Sequence, residues 1–162
     1  MHKITKAETE KDAQIISKLA AEIWRSHYTP IVGAAQVEYM LGNVQSPETI
    51  RADIISGALH YFLLWDDGKA AGYFAVRPEP ESVYLSKLYV HPEFQKRGLS
   101  RAALNYIIEN YGKSKRTIRL MVHVRNPSVA IYEKFGFKIT ETQTNNIGGG
   151  FINHDYIMEL AL

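Results

Sequence analysis

The sequence contains no cysteine, and this absence excludes several kinds of chemistry at once. Without a thiol there can be no disulfide, no thiolate zinc site and no acyl-cysteine intermediate. The histidines do not compensate as metal ligands, because none of the six forms an HxH or HxxxH pair with another. We therefore expect no metal site. We also expect any group-transfer reaction to proceed by direct transfer, without a covalent enzyme intermediate on cysteine.

Long apolar runs and a strong charge of either sign are also missing. No stretch approaches the roughly 18 apolar residues of a membrane-spanning helix, and the N-terminus carries Glu8 and lacks the apolar core of a secretion signal. A net charge of +2 is too small to predict nucleic-acid binding. The length predicts one domain over residues 1–162. We expect a cytoplasmic protein that binds neither membrane nor nucleic acid.

Hydrophobic periodicity predicts elements in the order β, three helices, βββ, α, β, α, ββ. This order is typical of an α/β (α+β) fold with helices on a mixed sheet. The predicted helices cover 9–26, 36–41, 47–57, 99–112 and 126–136. The predicted strands cover 3–7, 60–65, 70–76, 82–90, 117–124, 137–142 and 151–160. A region containing Pro30 is expected to follow the first helix, and a loop is expected at 77–81.

The segment from Tyr84 to Tyr106 combines an apolar strand, a basic turn with Gly98, and an amphipathic helix. A strand that enters a helix in this way leaves backbone N–H groups unpaired at the helix N-terminus, where the helix dipole also favours an anion. The turn adds positive charge from Lys96, Arg97 and Arg101. Together these features predict a phosphate ligand, although a simple solvated turn would have the same residue types.

Two segments of the chain resemble the GNAT N-acetyltransferases. Leu88-Tyr89-Val90-His91-Pro92, followed by Gln95-Lys96-Arg97-Gly98-Leu99-Ser100, is similar to that family's acetyl-CoA-binding pattern, L-x-V-x-P and then Q/R-x-x-G-x-G/A. Ser100 replaces the usual glycine or alanine, and it is also small.

The second segment is Leu120-Met121-Val122, then Asn126, then Tyr132 to Phe137. It resembles the family's strand, short helix and Y-x-x-x-G-F signature. Asn126 stands six residues before Tyr132, where the family more often has seven.

The resemblance implies a GNAT-like fold: a mixed, mostly antiparallel central sheet of about seven strands flanked by helices, whose central strands splay apart to form the acetyl-CoA site. It implies acetyl-CoA as co-substrate, bound mainly by backbone N–H groups. It also implies that Tyr132 is the general acid for the CoA thiolate, although a packing tyrosine is the alternative. Asn126 is expected either to hydrogen-bond the pantetheine or carbonyl, or to cap a helix. The predicted cofactor-binding residues are Leu88, Tyr89, Val90, Gln95, Lys96, Arg97, Gly98, Leu99, Ser100, Arg101 and Asn126.

The acceptor implied by the resemblance is the primary amine of a small molecule, polyamine-like or amino-acid-like. The general base is not identifiable from the sequence, and the candidates are Glu38, Tyr28, Glu81, Tyr84, Ser86 and His123. Asp155 is a candidate for binding the substrate ammonium. The predicted substrate-binding residues are therefore Tyr28, Tyr84, Ser86, His123 and Asp155.

Three alternatives remain open. The acceptor could be a protein N-terminus or lysine, or the chain could be a non-catalytic CoA-binding regulatory module. A nucleotide-binding or phosphotransfer protein would use a similar turn, but the sequence lacks both G-x-x-x-x-G-K-[ST] and G-x-G-x-x-G. The resemblance also allows a homodimer.

Overall fold

Seven strands and five helices follow one another in the predicted order, in a computed structural model that describes residues 1–162. The strands are β1 (His2–Lys6), β2 (His60–Asp66), β3 (Lys69–Pro78), β4 (Ser82–Val90), β5 (Thr117–His123), β6 (Lys138–Gly148) and β7 (Phe151–Ala161). The helices are α1 (Glu10–Val32), α2 (Ala34–Asn43), α3 (Pro47–Ser56), α4 (Leu99–Tyr111) and α5 (Ser128–Phe135). None of the helices is both long and apolar enough to span a membrane.

All seven strands belong to one sheet, in the spatial order β1-β2-β3-β4-β5-β7-β6. Only β4 and β5 pair in parallel, and every other neighbouring pair is antiparallel. The crossover between β4 and β5 is α4, as parallel pairing requires. The predicted fold class, a mixed and mostly antiparallel sheet flanked by helices, is confirmed.

The parallel pair comes apart part-way along its length. The pairing of β4 with β5 ends at Leu85 and Leu120, although the strands continue to Val90 and His123. Just past this point β4 has a bulge, because Val76 of β3 pairs with Leu85 while Ala75 pairs with Lys87. Ser86 is the extra residue. The result is a gap in the middle of the sheet, between the facing edges of β4 and β5, which no longer pair with each other.

Separate hydrophobic cores cover the two faces of the sheet. On one face α4 and α5 pack on the strands through residues such as Leu104, Ile107 and Tyr132. On the other face α1, α2 and α3 pack through residues such as Ile16 and Val37. The gap between β4 and β5 therefore connects two layers of helices.

The bounds of several elements differ from the predicted ones. The first helix was expected to end near Ser26 but continues through Pro30 to Val32. Proline removes only one helical hydrogen bond at its own position, and the helix ends instead at Gly33, whose φ is 89°. Strand β6 extends to Gly148 because it pairs with β7 along its length, and β3 includes Arg77 and Pro78, which pair with β4.

Candidate active site

Three cavities follow the gap between β4 and β5, and shared residues connect them. The turn cavity, about 690 Å³, lies beside the basic turn at residues 95–101. The gap cavity, about 30 Å³, lies between the separated strands. The hairpin cavity, about 220 Å³, lies under the β6–β7 hairpin. The turn and gap cavities share Leu88, Tyr89 and Ser128. The gap and hairpin cavities share Tyr28, Met121 and Val122.

The turn cavity contains most of the predicted cofactor-binding residues. These are Leu88, Tyr89, Val90, Gln95, Lys96, Gly98, Leu99, Ser100 and Arg101, which are joined by His27, Arg125 and residues of the second half of α1. Gly98 is the N-cap of α4, with φ 84°, and no side chain caps the helix there. The first N–H groups of α4 are therefore free for an anion, with Lys96 and Arg101 at the same cavity.

Arg97 is the exception among the basic residues of the turn. Its Nη1 lies 2.9 Å from Oδ2 of Asp66, whose side chain is only 6% exposed, and its guanidinium lies over the Phe94 ring. Arg97 is not among the residues that line the turn cavity. A cofactor contact of the Arg97 side chain stays a prediction, and it would compete with the ion pair to Asp66.

Tyr132 lies in the wall of the gap cavity, beside the ends of both strands. It is 8% exposed, and its ring packs against Phe137 with centroids 5.5 Å apart. Burial raises the pKa of the Tyr132 phenol well above its ordinary value, and Tyr28 adds to this. The hydroxyl therefore keeps its proton at neutral pH, as a group that protonates a thiolate must.

Asn126, also in the gap cavity, is held by the protein itself. Its Oδ1 accepts a hydrogen bond from the Ser128 backbone N–H at 2.8 Å and lies 3.0 Å from Nε2 of His27. The residue thus shapes the start of α5 and connects it to α1. Of the two roles expected for Asn126, the structure shows a hydrogen bond at the start of a helix, and a contact with pantetheine stays a prediction. His27 was not among the predicted site residues.

The hairpin cavity contains four of the five predicted substrate-binding residues: Tyr28, Tyr84, His123 and Asp155. Ser86 lies instead in the gap cavity. Asp155 is 7% exposed and accepts a hydrogen bond from Nδ2 of Asn145 at 2.8 Å. It is the only carboxylate in the lining, which contains no lysine or arginine. Such a cavity suits a cation better than an anion.

The aromatic and imidazole groups of the hairpin cavity are poor proton acceptors. Burial raises the pKa of Tyr28 to about 12 and also raises that of Tyr84. Burial lowers the pKa of His123, which is therefore neutral near pH 7. The Arg125 backbone N–H donates to Nδ1 of His123 at 3.1 Å, and the ring hydrogen is consequently on Nε2. Nε2 of His123 is then a donor and not a base.

The two glutamates considered as bases lie outside all three cavities. Glu38 is exposed and pairs with Arg25 at 2.9 Å. Glu81 is exposed and lies 3.8 Å from Arg116. Neither carboxylate lines the hairpin cavity, and each has an arginine as its partner.

Sequence reasoning missed three amides of the hairpin cavity: Gln36, Asn145 and Asn153. Nε2 of Gln36 donates to Oδ1 of Asn153 at 2.6 Å and so fastens α2 to the hairpin. Amides have no distinctive sequence spacing. The only available signal was the glycine triplet 148–150, which forms the hairpin turn on which the Tyr39 side chain packs.

Residues 28–160 match a family model described as "Acetyltransferase (GNAT) domain". The chain belongs to the GNAT acetyltransferase family. The prediction from the two sequence segments is confirmed, and GNAT proteins are acyltransferases that use acetyl-CoA. The match includes β4, the turn, α4, β5 and α5, and thus all the elements around the gap.

Curated relatives of this GNAT chain resemble only part of it. The [ribosomal protein bS18]-alanine N-acetyltransferase of Escherichia coli K12 is 30% identical over 86 residues, which cover 52% of this chain and 58% of that enzyme. The human cysteine-rich protein 2-binding protein is 33% identical over 73 residues, 44% of this chain and 9% of that protein. The chain thus matches less than two thirds of the length of either relative.

Solved structures resemble the GNAT chain over its whole length. PaiA N-acetyltransferase from Thermoplasma acidophilum, in complex with coenzyme A, gives a TM-score of 0.86 at 22% identity and covers 100% of this chain and 99% of that one. The E. coli alanine N-acetyltransferase gives 0.74 at 22% identity, with 99% and 94% covered. At these identities the likeness concerns the fold.

Proposed function

We propose that this GNAT chain transfers an acetyl group from acetyl-CoA to the primary amine of a small molecule, by direct attack in a ternary complex. The observation that carries the proposal is the connected series of turn, gap and hairpin cavities. One end offers an anion site and the other a buried carboxylate, and Tyr132 lies between them.

The turn cavity has the properties needed for the CoA pyrophosphate. The uncapped N-terminus of α4 offers backbone N–H groups, and Lys96 and Arg101 add positive charge. From there the pantetheine arm would follow the free edge of β4, at residues 88–90. The thioester would then lie at the gap cavity, next to the edge of β4 that has no pairing with β5 beyond Leu85.

Acetyl transfer at the gap requires that the thioester carbonyl be polarised and that the leaving thiolate receive a proton. Backbone N–H groups of β4 beyond Leu85 are free of β5 and can donate to the developing oxyanion, as electrostatic stabilisation of the transition state requires. Tyr132 lies in the same cavity with its proton retained, so it can protonate the CoA sulfur.

The hairpin cavity supports an aliphatic, cationic acceptor. Asp155 can pair with an ammonium group, and the surrounding lining is apolar or neutral, with Val32, Met40 and Ile147. No basic side chain is present to bind the carboxylate of an amino acid. Of the two acceptor types that the sequence leaves open, the polyamine-like one fits this lining better.

A second candidate is acetylation of a protein N-terminus. It is favoured by the identity of 30% to the E. coli enzyme whose name specifies a ribosomal protein alanine. A protein substrate would bring its α-amino group toward Asp155, where it must lose a proton before it attacks, and it needs no partner for an α-carboxylate. The two candidates therefore differ in what extends beyond the reacting nitrogen, and an amine panel can separate them.

The deciding experiment measures free CoA thiol release with spermidine, 1,4-diaminobutane, phenethylamine, glycine and a peptide that begins with alanine. We expect turnover with one or more of the first three and none with glycine. Turnover with the peptide alone would support the second candidate. Binding of acetyl-CoA without turnover of any amine would indicate a regulatory module.

The kinetic order tests direct transfer. Because no cysteine is available for an acyl-enzyme, double-reciprocal lines for acetyl-CoA and the amine should intersect. Parallel lines, or an acetylated enzyme trapped without acceptor, would contradict the ternary complex. The cytoplasmic location and a homodimer also remain proposals, which fractionation and sedimentation velocity can test.

A further inference from the structure

Amine acetylation needs a proton acceptor, and none of the candidate bases other than Ser86 is suitable. The phenols of Tyr28 and Tyr84 keep their protons, His123 presents a ring N–H at Nε2, and Asp155 is the carboxylate available to hold the acceptor's ammonium. A further group at the gap is therefore required, or water must serve.

The bulge in β4 places two polar side chains side by side at the gap. In a regular strand, neighbouring residues point to opposite faces of the sheet, but Ser86 is the extra residue of the bulge. Nζ of Lys87 lies 2.9 Å from Oγ of Ser86, and both residues line the gap cavity with Tyr132. Bulges often re-aim side chains next to active sites.

The surroundings of Lys87 favour a neutral amine without forbidding the cation. Desolvation by burial lowers its pKa to about 8, Arg77 acts in the same direction, and Asp53 opposes them. Nζ also lies 6.0 Å from the centroid of the Tyr61 ring, which can attract a cation weakly. Near neutral pH Lys87 can therefore both accept and release a proton.

We propose that Ser86 and Lys87 form the proton relay that accepts the proton of the attacking amine. This inference rests on the acetyltransferase function proposed above. The neutral amine nitrogen forms a bond to the acetyl carbon, and one of its protons passes to Oγ of Ser86 while the Ser86 proton passes to neutral Lys87. The C–S bond then breaks, and the thiolate takes the proton of Tyr132. Lys87 returns its proton to solvent, and Tyr132 regains one.

Four variants at these two positions separate a relay from a structural role, with Lys69→Met, at an exposed lysine at the start of β3, as the control. Lys87→Arg keeps a cation near Tyr61 but cannot become neutral at working pH. Lys87→Met removes the amine and keeps the length of the side chain. Ser86→Ala removes the hydroxyl, and Ser86→Thr keeps one.

The measurements are kcat across pH 6–10 with whichever of spermidine, 1,4-diaminobutane and phenethylamine is fastest, and the Kd of acetyl-CoA. We expect kcat to fall by about a hundredfold or more in Lys87→Arg, Lys87→Met and Ser86→Ala. Ser86→Thr, which keeps a hydroxyl, should retain more kcat than Ser86→Ala, whereas Lys69→Met and every acetyl-CoA Kd should stay near wild type. The wild-type rise in kcat toward a plateau above pH 8 should disappear in both Lys87 variants.

Three results would overturn the relay. One is a Lys87→Arg variant with wild-type kcat and pH profile, which would reduce Lys87 to a cation that packs on Tyr61. Another is a fall in kcat in the Lys87 variants with no fall in Ser86→Ala, which would show that the proton does not pass through Ser86. The last is wild-type enzyme that turns over none of the three amines. Only that last result also counts against the proposed acceptor class, so the two failures can be told apart.

Discussion

Leu85 and Leu120 are the last residues at which β4 and β5 are paired, and the two strands diverge immediately beyond them. The residues that the proposed reaction uses lie beyond this pair, on the side where the two strands are separated. Leu88 and Val90 border the turn cavity, Val122 borders the hairpin cavity, and Tyr132 faces the gap between. A thioester in the gap would therefore be within reach of both a cofactor site and an acceptor site.

Tyr132→Phe tests the general acid. The substitution keeps the ring that packs on Phe137 and removes only the hydroxyl. We expect kcat to fall by about a hundred- to ten-thousand-fold, with acetyl-CoA affinity and melting temperature little changed. Tyr106→Phe, on α4 and outside the cavities, is the matched control. An unchanged kcat would make Tyr132 a packing residue.

Gly98→Val tests whether the pyrophosphate is bound through the backbone. Gly98 has φ 84°, and a Cβ there would meet no atom within 4 Å, so the effect would come from backbone strain alone. Strain of about 1–2 kcal/mol would displace the N–H groups at the start of α4, and we expect the acetyl-CoA Kd measured by calorimetry to rise about tenfold. Lys96→Ala should change it much less.

The matched control for this strain is Gly57→Val. Gly57 is the C-cap of α3, also has a positive φ (76°), and lies outside the three cavities. Its variant should lose stability without losing affinity for acetyl-CoA. Equal and small effects of Gly98→Val and Lys96→Ala would argue against backbone binding.

Asp155→Asn tests the ammonium site. The carboxamide keeps the shape of the side chain but loses its charge, so a charge-assisted hydrogen bond worth about 1.5–3 kcal/mol is lost. We expect the KM for 1,4-diaminobutane to rise at least tenfold while the KM for acetyl-CoA stays constant. Glu38→Gln, an exposed carboxylate that pairs with Arg25, should change neither. A shift of the acetyl-CoA KM instead would remove Asp155 from the acceptor site.

Lys87→Met should stabilise the fold, and the gain should depend on pH. The native pKa of Lys87 is about 8, against an ordinary value of 10.5. Below pH 8 the folded protein therefore carries the full cost of a buried charge, which disappears as the pH rises from 8 to 10.5. Urea unfolding should show a gain of about 1–3 kcal/mol at pH 7 and almost none at pH 10.5. A gain that is equal at both pH values would mean that the charge is not the cause.

The sequence predicted best what short segments determine. Strand β4, the turn with Gly98 and helix α4 are contiguous, and their apolar spacing and turn residues agree with one another. The extension of α1 past Pro30 depends on contacts with distant segments, such as that of Ile31 with the Arg125 side chain. The length of β6 was missed because its sequence, from Lys138 to Asn146, is polar and mostly exposed, so its hydrogen bonds to β7 are its main support.

The candidate site shows the same difference between features that short segments determine and features that depend on distant contacts. Tyr28, Tyr84, His123 and Asp155 come from four separate elements, yet they surround one cavity. Their roles remain predictions. Arg97 could not be excluded from the turn cavity by sequence, because its partner Asp66 is thirty-one positions away. Nothing in the sequence singles out Lys87 either. Its amine lies close to the Ser86 hydroxyl at the gap only because of the bulge in β4.

The presence of two independent cores has a consequence for how such a protein can diversify. The turn and Tyr132 belong to elements packed on one face of the sheet, whereas α1 and α2, which wall the hairpin cavity, are packed on the other. Substitutions at Val32, Gln36 or Met40, which would reshape the hairpin cavity, need not disturb the packing beneath α4. A lineage could thus exchange one amine for another while it keeps its acetyl donor, and a designer could repeat that experiment in the laboratory.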